Sequence, residues 1–467
     1  MSGACDQILS VAQMRAAEAA LIDAGTTVEA LMDTAGRGAA NFVWRIAAMG
    51  RVTVLCGPGN NGGDGYVIAE ALRARGGRVA VIPALAPMTA AARRAAMLYK
   101  GEVLADDADR HGEVLVDCLF GSGLTRPLGE AHAALLRRLA KGHRRLVALD
   151  LPSGVESDSG TSLNEGLPQF DLTIALGAWK YAHYLMPAAA GLGALRLVDI
   201  GVAPVAGAAT VVRRPRLAAP SADSHKYRRG LLAVVGGAMP GAALLACTAA
   251  RRAGAGYVKL LRDAVPMGVP PDLVVETGDL GRNLADRRIS AALVGPGLGR
   301  DGPARARLQA ALALGVPLLI DADALALLTP ALLAARRAPT IVTPHDGELA
   351  ALERAWGLGA SGSKVERVTA LAGASGLVVL AKGPDNVLAA PDGRCTLAPR
   401  ASSWLSTAGT GDVLAGTIAS RLASGCEAFA AAGEGLWLGG EAARLAPKPF
   451  CAGDLAEYVG EAFAACL

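Results

Sequence analysis

Two short stretches of this chain combine glycines with polar side chains in a way that suits a charged ligand. The first has the sequence Cys56-Gly57-Pro58-Gly59-Asn60-Asn61-Gly62-Gly63-Asp64-Gly65. The apolar residues 52–55 before it predict a buried strand, and residues 66–75 after it predict a helix. Glycines between a strand and a helix let backbone N–H groups approach a ligand, and the amides and carboxylate add partners for a polar ligand or a hard cation. A plain turn needs only one or two glycines, so five favour a binding loop.

The second stretch has the sequence Thr407-Ala408-Gly409-Thr410-Gly411-Asp412-Val413-Leu414-Ala415-Gly416. Apolar residues at Leu414, Ile418 and Leu422 predict that a helix starts here. The start of a helix offers unpaired N–H groups and the positive end of the helix dipole, which suits a phosphate. Asp412 would lie beside that phosphate as a base for a substrate hydroxyl. An Asp in a first helical turn is also stabilised by the dipole without catalysis, so this stretch alone leaves both interpretations open.

Two more segments of the first half place carboxylates after predicted strands. They are Asp117-Cys118-Leu119-Phe120-Gly121-Ser122-Gly123-Leu124 and Asp150-Leu151-Pro152-Ser153-Gly154-Val155. A single Asp at such a position is commonly a helix cap or a turn former. In a parallel sheet, however, the carboxyl ends of the strands meet at one edge, where ligands bind. We therefore expect one crevice to hold Asn60, Asn61, Asp64, Asp117, Asp150 and Ser153.

The second half repeats this arrangement with other residues. His345 alone would be a capping or core histidine and Lys382 alone a solvated lysine, but both follow predicted strands, and that shared position favours a function. The segments that follow strands are Gly236-Gly237-Ala238-Met239-Pro240-Gly241-Ala242, Gly295-Pro296-Gly297-Leu298-Gly299, Asp321-Ala322-Asp323-Ala324-Leu325, Thr343-Pro344-His345-Asp346-Gly347-Glu348 and Lys382-Gly383-Pro384-Asp385-Asn386.

Short apolar segments alternate with helical ones along the chain, which is typical of an α/β protein with doubly wound parallel sheets. Two helices are predicted over residues 10–49, the first capped by Ser10, and another over 131–140. The last two strands form a predicted hairpin at Asp392-Gly393. The predicted strands are residues 52–55, 79–82, 114–117, 146–150, 172–176 and 195–200, then 231–235, 257–261, 273–276, 291–294, 317–320, 340–342, 377–380, 386–389 and 395–398.

Length and a shift in composition predict two domains. The chain has 467 residues, which is too many for one ordinary core. Alanine, glycine and proline dominate near residues 202–224. We place a first domain at 1–212, a linker at 213–222 and a second domain at 223–467.

The composition excludes several classes of protein. Hydrophobic residues make up 52% and charged residues 19%, which argues against disorder. The net charge is only +4 with no long basic run, so we expect no nucleic acid partner. We find no signal peptide and no long apolar run, so we expect no membrane association. The eight cysteines lack C-x-x-C spacing, and we expect most to be buried thiols in a reducing, cytoplasmic compartment.

The three motifs of the first half resemble those of the NAD(P)H-hydrate epimerase domain, over roughly residues 10–210. That family interconverts the R and S epimers of hydrated NADH or NADPH. The resemblance implies a Rossmann-like sheet, with Asp150 as our choice of proton carrier and a potassium ion held by Asn61, Asp117 and Ser153. It also implies that the hydrated nucleotide contacts Asn60, Asn61, Gly62, Gly63, Asp64, Gly121, Ser122, Gly123, Leu124, Thr125, Arg126, Pro127 and Asp150.

Residues from about 222 to 467 resemble the ADP- or ATP-dependent NAD(P)H-hydrate dehydratase of the ribokinase-like superfamily. The motifs are G-P-G-L-G, D-A-D-A-L, T-P-H-x-G-E and A-G-T-G-D-V-L-A-G. The implied chemistry is phosphoryl transfer from ADP or ATP, with Mg²⁺, onto the hydrate hydroxyl, followed by loss of phosphate. Asp412 would take the hydroxyl proton. The hydrate would contact Ala242, Gly297, Gly299, His345 and Asp412, and the adenine nucleotide would contact Lys382, Gly383, Pro384, Asp385, Asn386 and Gly411.

Two departures from the dehydratase pattern bear on the nucleotide preference. Asp346 stands where the family has proline, and Asn386 stands where a small hydroxyl residue is usual. Two other functions also remain open: a small-molecule (vitamin) kinase in the second half, and a non-catalytic binding module in the first. We favour a bifunctional repair enzyme that acts as a homo-oligomer on small molecules.

Overall fold

The computed structural model describes residues 6–108 and 110–467. The chain divides into two compact units, Met1–Thr210 and Val211–Leu467. Each unit has its own sheet of wholly or mainly parallel strands covered by helices, so the predicted α/β fold class is confirmed.

The first unit is built on a parallel sheet with the strand order β4-β3-β2-β5-β6-β7-β8. The order reverses next to β2, so the crevice expected at a topological switch point lies between β2 and β5. Its elements are β1 (Gln7–Ile8), α1 (Val11–Asp23), α2 (Val28–Ala47), β2 (Arg51–Cys56), α3 (Asn60–Ala74), β3 (Arg78–Pro83), α4 (Ala90–Leu98), β4 (Glu102–Val103), β5 (Gly112–Cys118), α5 (Glu130–Lys141), β6 (His143–Leu149), β7 (Leu172–Leu176) and β8 (Ala194–Val198). The short strand β9 (Ala209–Val211) includes the last two residues of this unit and the first residue of the next.

The second unit has a mixed sheet with the strand order β18-β17-β16-β15-β14-β13-β10-β11-β12. Its pairs are parallel from β12 to β16, and β17 and β18 add an antiparallel hairpin with Gly393 at φ 90°. Its strands are β10 (Leu231–Val235), β11 (Tyr257–Leu261), β12 (Val274–Glu276), β13 (Ile289–Val294), β14 (Leu318–Ile320), β15 (Thr340–Val342), β16 (Val378–Ala381), β17 (Val387–Ala389) and β18 (Cys395–Leu397). Its helices are α6 (Pro240–Arg252), α7 (Leu280–Leu284), α8 (Gly302–Leu312), α9 (Asp323–Leu327), α10 (Pro330–Leu333), α11 (Asp346–Ala355), α12 (Lys364–Ser375), α13 (Thr410–Ala423), α14 (Ala428–Leu445) and α15 (Ala452–Ala464).

Most predicted elements are confirmed within three residues, and several strands, such as Leu172–Leu176 and Tyr257–Leu261, match fully. Ser10 caps α1 as predicted, since its hydroxyl accepts the backbone N–H of Gln13. The short strands β1, β4 and β9 were not predicted, because runs of two or three residues carry too little pattern. Of the predicted buried cysteines, Cys56, Cys118, Cys247 and Cys466 are buried, Cys395 and Cys426 are half-buried and Cys451 is exposed; Cys5 lies outside the described residues.

One prediction about the glycine-rich stretch was wrong. Helix α3 begins at Asn60, not near residue 66, so half of the expected loop is helical. Its glycines supply space rather than left-handed backbone. A Cβ on Gly62 would lie 2.0 Å from the carbonyl oxygen of Gly57, and one on Gly65 would lie 2.8 Å from Cys56 Sγ and from Cys118 Cβ. Close packing of α3 on the ends of β2 and β5 therefore requires glycine at these positions.

We predict that Gly416→Ala destabilises the second unit, whereas Gly440→Ala does not. A Cβ on Gly416 would lie 2.0 Å from the carbonyl oxygen of Ala246, where α13 packs on α6, but one on Gly440 would meet nothing within 4 Å. Overpacking should lower the free energy of unfolding by about 1–3 kcal/mol. The matched helical glycine on α14 should be neutral or stabilising by up to about 1 kcal/mol. Urea unfolding followed by circular dichroism measures both, and equal effects would contradict the packing argument.

Candidate active sites

The first candidate site lies at the carboxyl ends of β2, β5 and β6. A Cβ built on Gly121 would lie 3.0 Å from Asn61 Oδ1 and 3.3 Å from Asp150 Oδ2. The backbone N–H of Ser122 donates to Asp150 Oδ2 at 3.1 Å. The structure therefore brings the predicted residues Asn61, Gly121, Ser122 and Asp150 together, although they are up to 89 positions apart in the chain.

Asp117 and Ser153 form a second, deeper contact that joins two strand ends. Asp117 Oδ1 accepts the Ser153 hydroxyl at 2.7 Å, and its Oδ2 accepts the Ser153 backbone N–H at 2.9 Å. Leu119 N–H also donates to Oδ1, at 3.1 Å. Burial raises the pKa of Asp117, and the hydrogen bonds from Ser153 and Leu119 partly oppose that rise. The contact fixes the loop after β5 against the loop after β6.

Asp150 has a partner that the sequence reasoning missed. Lys180 Nζ lies 2.5 Å from Asp150 Oδ1 and donates to the carbonyl oxygen of Leu176 at 2.7 Å. Its side chain is only 1% exposed. Burial alone would raise the pKa of Asp150, but Lys180 and the Ser122 hydrogen bond hold it below its ordinary value. The sequence signal for Lys180 was a lone lysine after a buried strand, which resembles any solvated lysine.

Asp64, unlike Asp150, is buried without a cationic partner among the described residues. Its side chain is buried, and among the described residues it has no recorded hydrogen bond or ion pair. Burial, together with the charges of Asp150 and Glu18, raises the pKa of Asp64 well above its ordinary value. Glu18, on α1, was not predicted; burial also raises its pKa, against the attraction of Lys180. The site thus holds two acids that favour the proton, Asp64 and Glu18, near one that favours its charge, Asp150.

The remaining residues predicted for the first site are more peripheral. Asn60 is exposed, and its Oδ1 accepts the Thr89 hydroxyl at 2.8 Å. Gly63 packs inside, since a Cβ on it would lie 2.5 Å from Met32 Cε, and Gly62 is likewise buried. The loop after Gly121 is largely open to solvent: Gly123, Thr125, Arg126 and Pro127 are exposed and Leu124 is half-buried.

The second candidate site is formed by the residues that directly follow three neighbouring strands. Asp321 follows β14, Thr343 follows β15 and Lys382 follows β16. Asp321 Oδ1 accepts Lys382 Nζ at 2.6 Å and the Thr343 hydroxyl at 2.7 Å. A Cβ on Gly411 would lie 3.3 Å from Lys382 Nζ, so the start of α13 reaches the same point.

Asp412 is the next residue of α13 after Gly411 and is half-buried. Burial and the neighbouring charge of Asp321 raise the pKa of Asp412 to about 6, although Lys382 opposes the shift. A carboxyl group that titrates near neutral pH readily accepts and releases a proton there, which suits a general base.

The G-P-G-L-G loop is held beside this centre. A Cβ on Gly297 would lie 2.2 Å from the carbonyl oxygen of Met239 and 3.1 Å from Ala242 Cβ, so the predicted residues Gly297 and Ala242 are adjacent. Gly299 N–H donates to Asp323 Oδ2 at 3.0 Å. Ala322, between Asp321 and Asp323, has φ 49°, a positive value that costs a non-glycine residue free energy and is found often at functional sites.

His345 and the segment from Lys382 to Asn386 are placed differently from one another. His345 is exposed and caps α11, its Nδ1 accepting the backbone N–H groups of Gly347 at 3.0 Å and Glu348 at 3.3 Å. Lys382 points to Asp321. Asp385 pairs instead with Lys364, whose Nζ lies 2.8 Å from Asp385 Oδ1. Gly383 and Pro384 lie between Lys382 and Asp385 in the chain, and Asn386 Oδ1 accepts the N–H of Gly383 at 3.3 Å.

These folds and sites define a two-domain α/β protein, with a Rossmann-like first unit and a ribokinase-like second unit. Residues 28–182 match the family of YjeF-related protein N-termini, and residues 232–464 match the NAD(P)H-hydrate dehydratase family. The chain belongs to the family of bifunctional NAD(P)H-hydrate repair enzymes.

Relatives of this family match nearly the whole chain. The bifunctional NAD(P)H-hydrate repair enzyme of Salinibacter ruber is 34% identical over 97% of this chain and 96% of its own. The enzyme of that description from Synechocystis is 34% identical over 89% and 86%, and that from Mycobacterium leprae is 32% identical over 96% and 95%. These matches support neither a vitamin kinase nor a non-catalytic first half. None of the helices in the described residues is long and apolar enough to cross a membrane.

We predict that Asp412→Asn stabilises the fold above pH 6. The raised pKa means that the folded chain binds this proton more tightly than the unfolded chain, so the wild type loses stability as the pH rises from about 4 through about 6. The asparagine side chain of the variant cannot ionise. Because Asp412 is partly exposed, solvent screening should limit the gain at pH 8 to about 1–2 kcal/mol. Urea unfolding at pH 8 and pH 5 measures it, and a gain that does not shrink at pH 5 would contradict the prediction.

Proposed function

We propose that this chain repairs hydrated NADH and NADPH in two steps. The first unit interconverts the R and S epimers, and the second removes water from the S epimer with ADP or ATP, releasing phosphate. In reaction classes, the first unit is an isomerase and the second a lyase. The observation that carries the proposal is that each unit gathers its acids at one sheet edge, Asp64 and Asp150 in the first and Asp412 with Asp321 in the second, in a chain of this family.

The second site suits transfer of a phosphoryl group to the hydrate hydroxyl. Asp412 takes the hydroxyl proton, and the N–H groups at the start of α13 stabilise the negative charge on phosphate. Lys382 adds a positive charge at that point. Phosphate then leaves as a stable anion, and loss of a ring proton restores the double bond of the nicotinamide.

Magnesium fits this site as a companion of the nucleotide. Among the described residues, no group of three or more His, Cys, Asp and Glu is arranged to hold an ion. Mg²⁺ usually keeps several waters and binds through phosphates and one or two carboxylates, so a protein cage is not required. Glu348 and Asp321 are the carboxylates beside Lys382 that would hold it. When bound, the ion would neutralise phosphate charge.

Potassium fits the donor set of the first site. Asp117 is fully buried, and no lysine, arginine or histidine of the described residues forms a recorded ion pair with it. Its carboxylate, the Ser153 hydroxyl and the Asn61 amide oxygen are hard oxygen donors, and Asn61 Nδ2 is buried with no hydrogen-bond partner among the described residues. A cation here would offset the cost of burying the Asp117 charge.

We also propose that the protein is cytoplasmic and that it assembles into a homo-oligomer. A cytoplasmic location would be tested by cell fractionation. Assembly into a homo-oligomer would be tested by sedimentation velocity, and a monomeric chain would exclude it. We also propose the domain limits 1–212 and 223–467 joined by 213–222, which limited proteolysis would test.

We predict that Asp412→Ala and Asp150→Ala separate the two activities. With a mixture of both hydrate epimers and either ADP or ATP, Asp412→Ala should release no NADH, a loss of about 10²–10⁴-fold or more in rate. Asp150→Ala should recover only the fraction already in the S form, apart from slow spontaneous exchange. NADH absorbance and released phosphate measure recovery. A stable phosphorylated product from the wild type would instead indicate a kinase.

We predict that potassium stabilises the first unit and supports epimerisation. The midpoint of thermal unfolding should be higher in KCl than in choline chloride of equal concentration, because a ligand that binds only the folded state stabilises it. Asn61→Ala removes one oxygen donor and leaves the contacts of Asp117 intact. This variant should lose most of the potassium response. An identical response in the wild type and the variant would remove Asn61 from the ion site.

A further inference from the structure

Lys180 is a buried cation in the first unit. It is one of the largest fully buried side chains among the described residues, and its partners are Asp150 at 2.5 Å and the Leu176 carbonyl oxygen at 2.7 Å. Desolvation of an ammonium and a carboxylate is costly, and a hydrophobic pair of similar volume is often as stable or more stable. A contribution to fold stability therefore does not by itself explain why Lys180 and Asp150 are buried together.

The position of the pair points to the site. Asp150 Oδ1 faces Lys180, whereas Oδ2 faces the Ser122 N–H and the space beside Gly121 and Asn61. Lys180 thus holds one carboxylate oxygen of Asp150, while the other lies at the substrate loop, by which we mean residues 121–127 that are predicted to contact the hydrate.

The backbone of Asp150 is also held in an unfavourable conformation. Its φ is 61°, in the left-handed region that a non-glycine residue rarely adopts. His183 Nε2 lies 2.8 Å from the Asp150 carbonyl oxygen, and the Asp150 N–H donates to Ile174 O at 2.7 Å. Strain of this kind persists only where surrounding contacts fix it, and such residues cluster at active sites.

We infer that Lys180 is a positioning residue of the epimerase site: its ammonium group keeps the Asp150 carboxylate ionised and aimed at the substrate loop, so that Asp150 can carry the proton during epimerisation. The inference rests on the proposed function of the first unit. The lowered pKa of Asp150, caused by Lys180 against the effect of burial, agrees with this role.

The chemistry of the hydrate requires such a proton carrier. Water adds to the ring double bond beside the ring nitrogen, so the carbon that bears the hydroxyl is also bonded to that nitrogen. Asp150 takes the hydroxyl proton, the carbon–oxygen double bond forms, and the electrons of the carbon–nitrogen bond move to the nitrogen. The nitrogen then takes the proton from the Asp150 carboxyl group. Rotation of the carbonyl and the reverse steps close the ring with the other configuration, with no net gain or loss of atoms or electrons.

The test compares two lysines of similar burial. Lys180→Met removes the cation beside Asp150, and Lys259→Met removes a buried lysine of the second unit that pairs with Glu276 at 2.6 Å and Asp286 at 2.8 Å. We expect Lys180→Met to lower kcat for R–S interconversion about 100-fold or more, the size of a lost proton-transfer group, with KM changed by less than about threefold. Lys259→Met should keep the epimerisation rate within about twofold of the wild type.

Chemical rescue separates a role in the site from a role in folding. Lys180→Ala leaves space for a small amine. Added ethylamine should raise the epimerisation rate of this variant at least about tenfold, whereas ethanol, which is of similar size, should not. Circular dichroism and dehydration of the S epimer by the same molecules show that the chain is folded, and assays are run below the thermal midpoint of each variant.

Two results would overturn the inference. One is a Lys180→Met chain that interconverts the epimers within about threefold of the wild-type rate. The other is a Lys180→Ala chain that ethylamine does not restore. A wild-type chain that dehydrates the S epimer but does not interconvert R and S would instead overturn the proposed epimerase function. The same assay on the wild type alone detects that outcome.

Discussion

Carboxylates buried at the carboxyl edge of a parallel sheet must find partners, and this constraint shapes both sites. Burying a charged group without a partner is costly, so the group either pairs or keeps its proton. Asp150 pairs with Lys180 and stays ionised, whereas Asp64 has no recorded partner in the described part of the chain and its pKa rises. Asp64 and Asp150 therefore differ in proton affinity, although both lie at the first site.

The same constraint gives another result in the second unit. The residues after β14, β15 and β16 contact one another directly, because parallel strands deliver their ends to one edge. Asp321 obtains Lys382 and Thr343 as partners. Asp412 lies in the first turn of α13, near Lys382, which is already paired with Asp321. The pKa of Asp412 rises to about 6 because of burial and the charge of Asp321. In the proposed mechanism, a base of that strength would take the proton of the hydroxyl that is phosphorylated.

The two activities complement one another chemically. Hydration of the ring gives both epimers, and a dehydratase that accepts only the S epimer would leave the R epimer behind. An epimerase in the same chain converts that remainder. The two reactions do not require contact between the two sites, because the hydrate can diffuse from one to the other.

The sequence by itself determined the fold class, most strands and the residues at the strand ends, because short apolar runs and glycine-rich turns carry local signals. It placed Asp117, Asp150 and Ser153 around one crevice through the rule that parallel strands end at one edge. It did not reveal Lys180, since a lysine 30 positions after Asp150 has no local signal of burial, and only tertiary packing brings the two charges within 2.5 Å. Nor did it show that α3 begins at Asn60, because one contact that demands glycine at position 65 comes from Cys118, at the end of another strand. Burial and proton affinity depend on every neighbour in space, so tertiary structure alone decided which acid carries a charge.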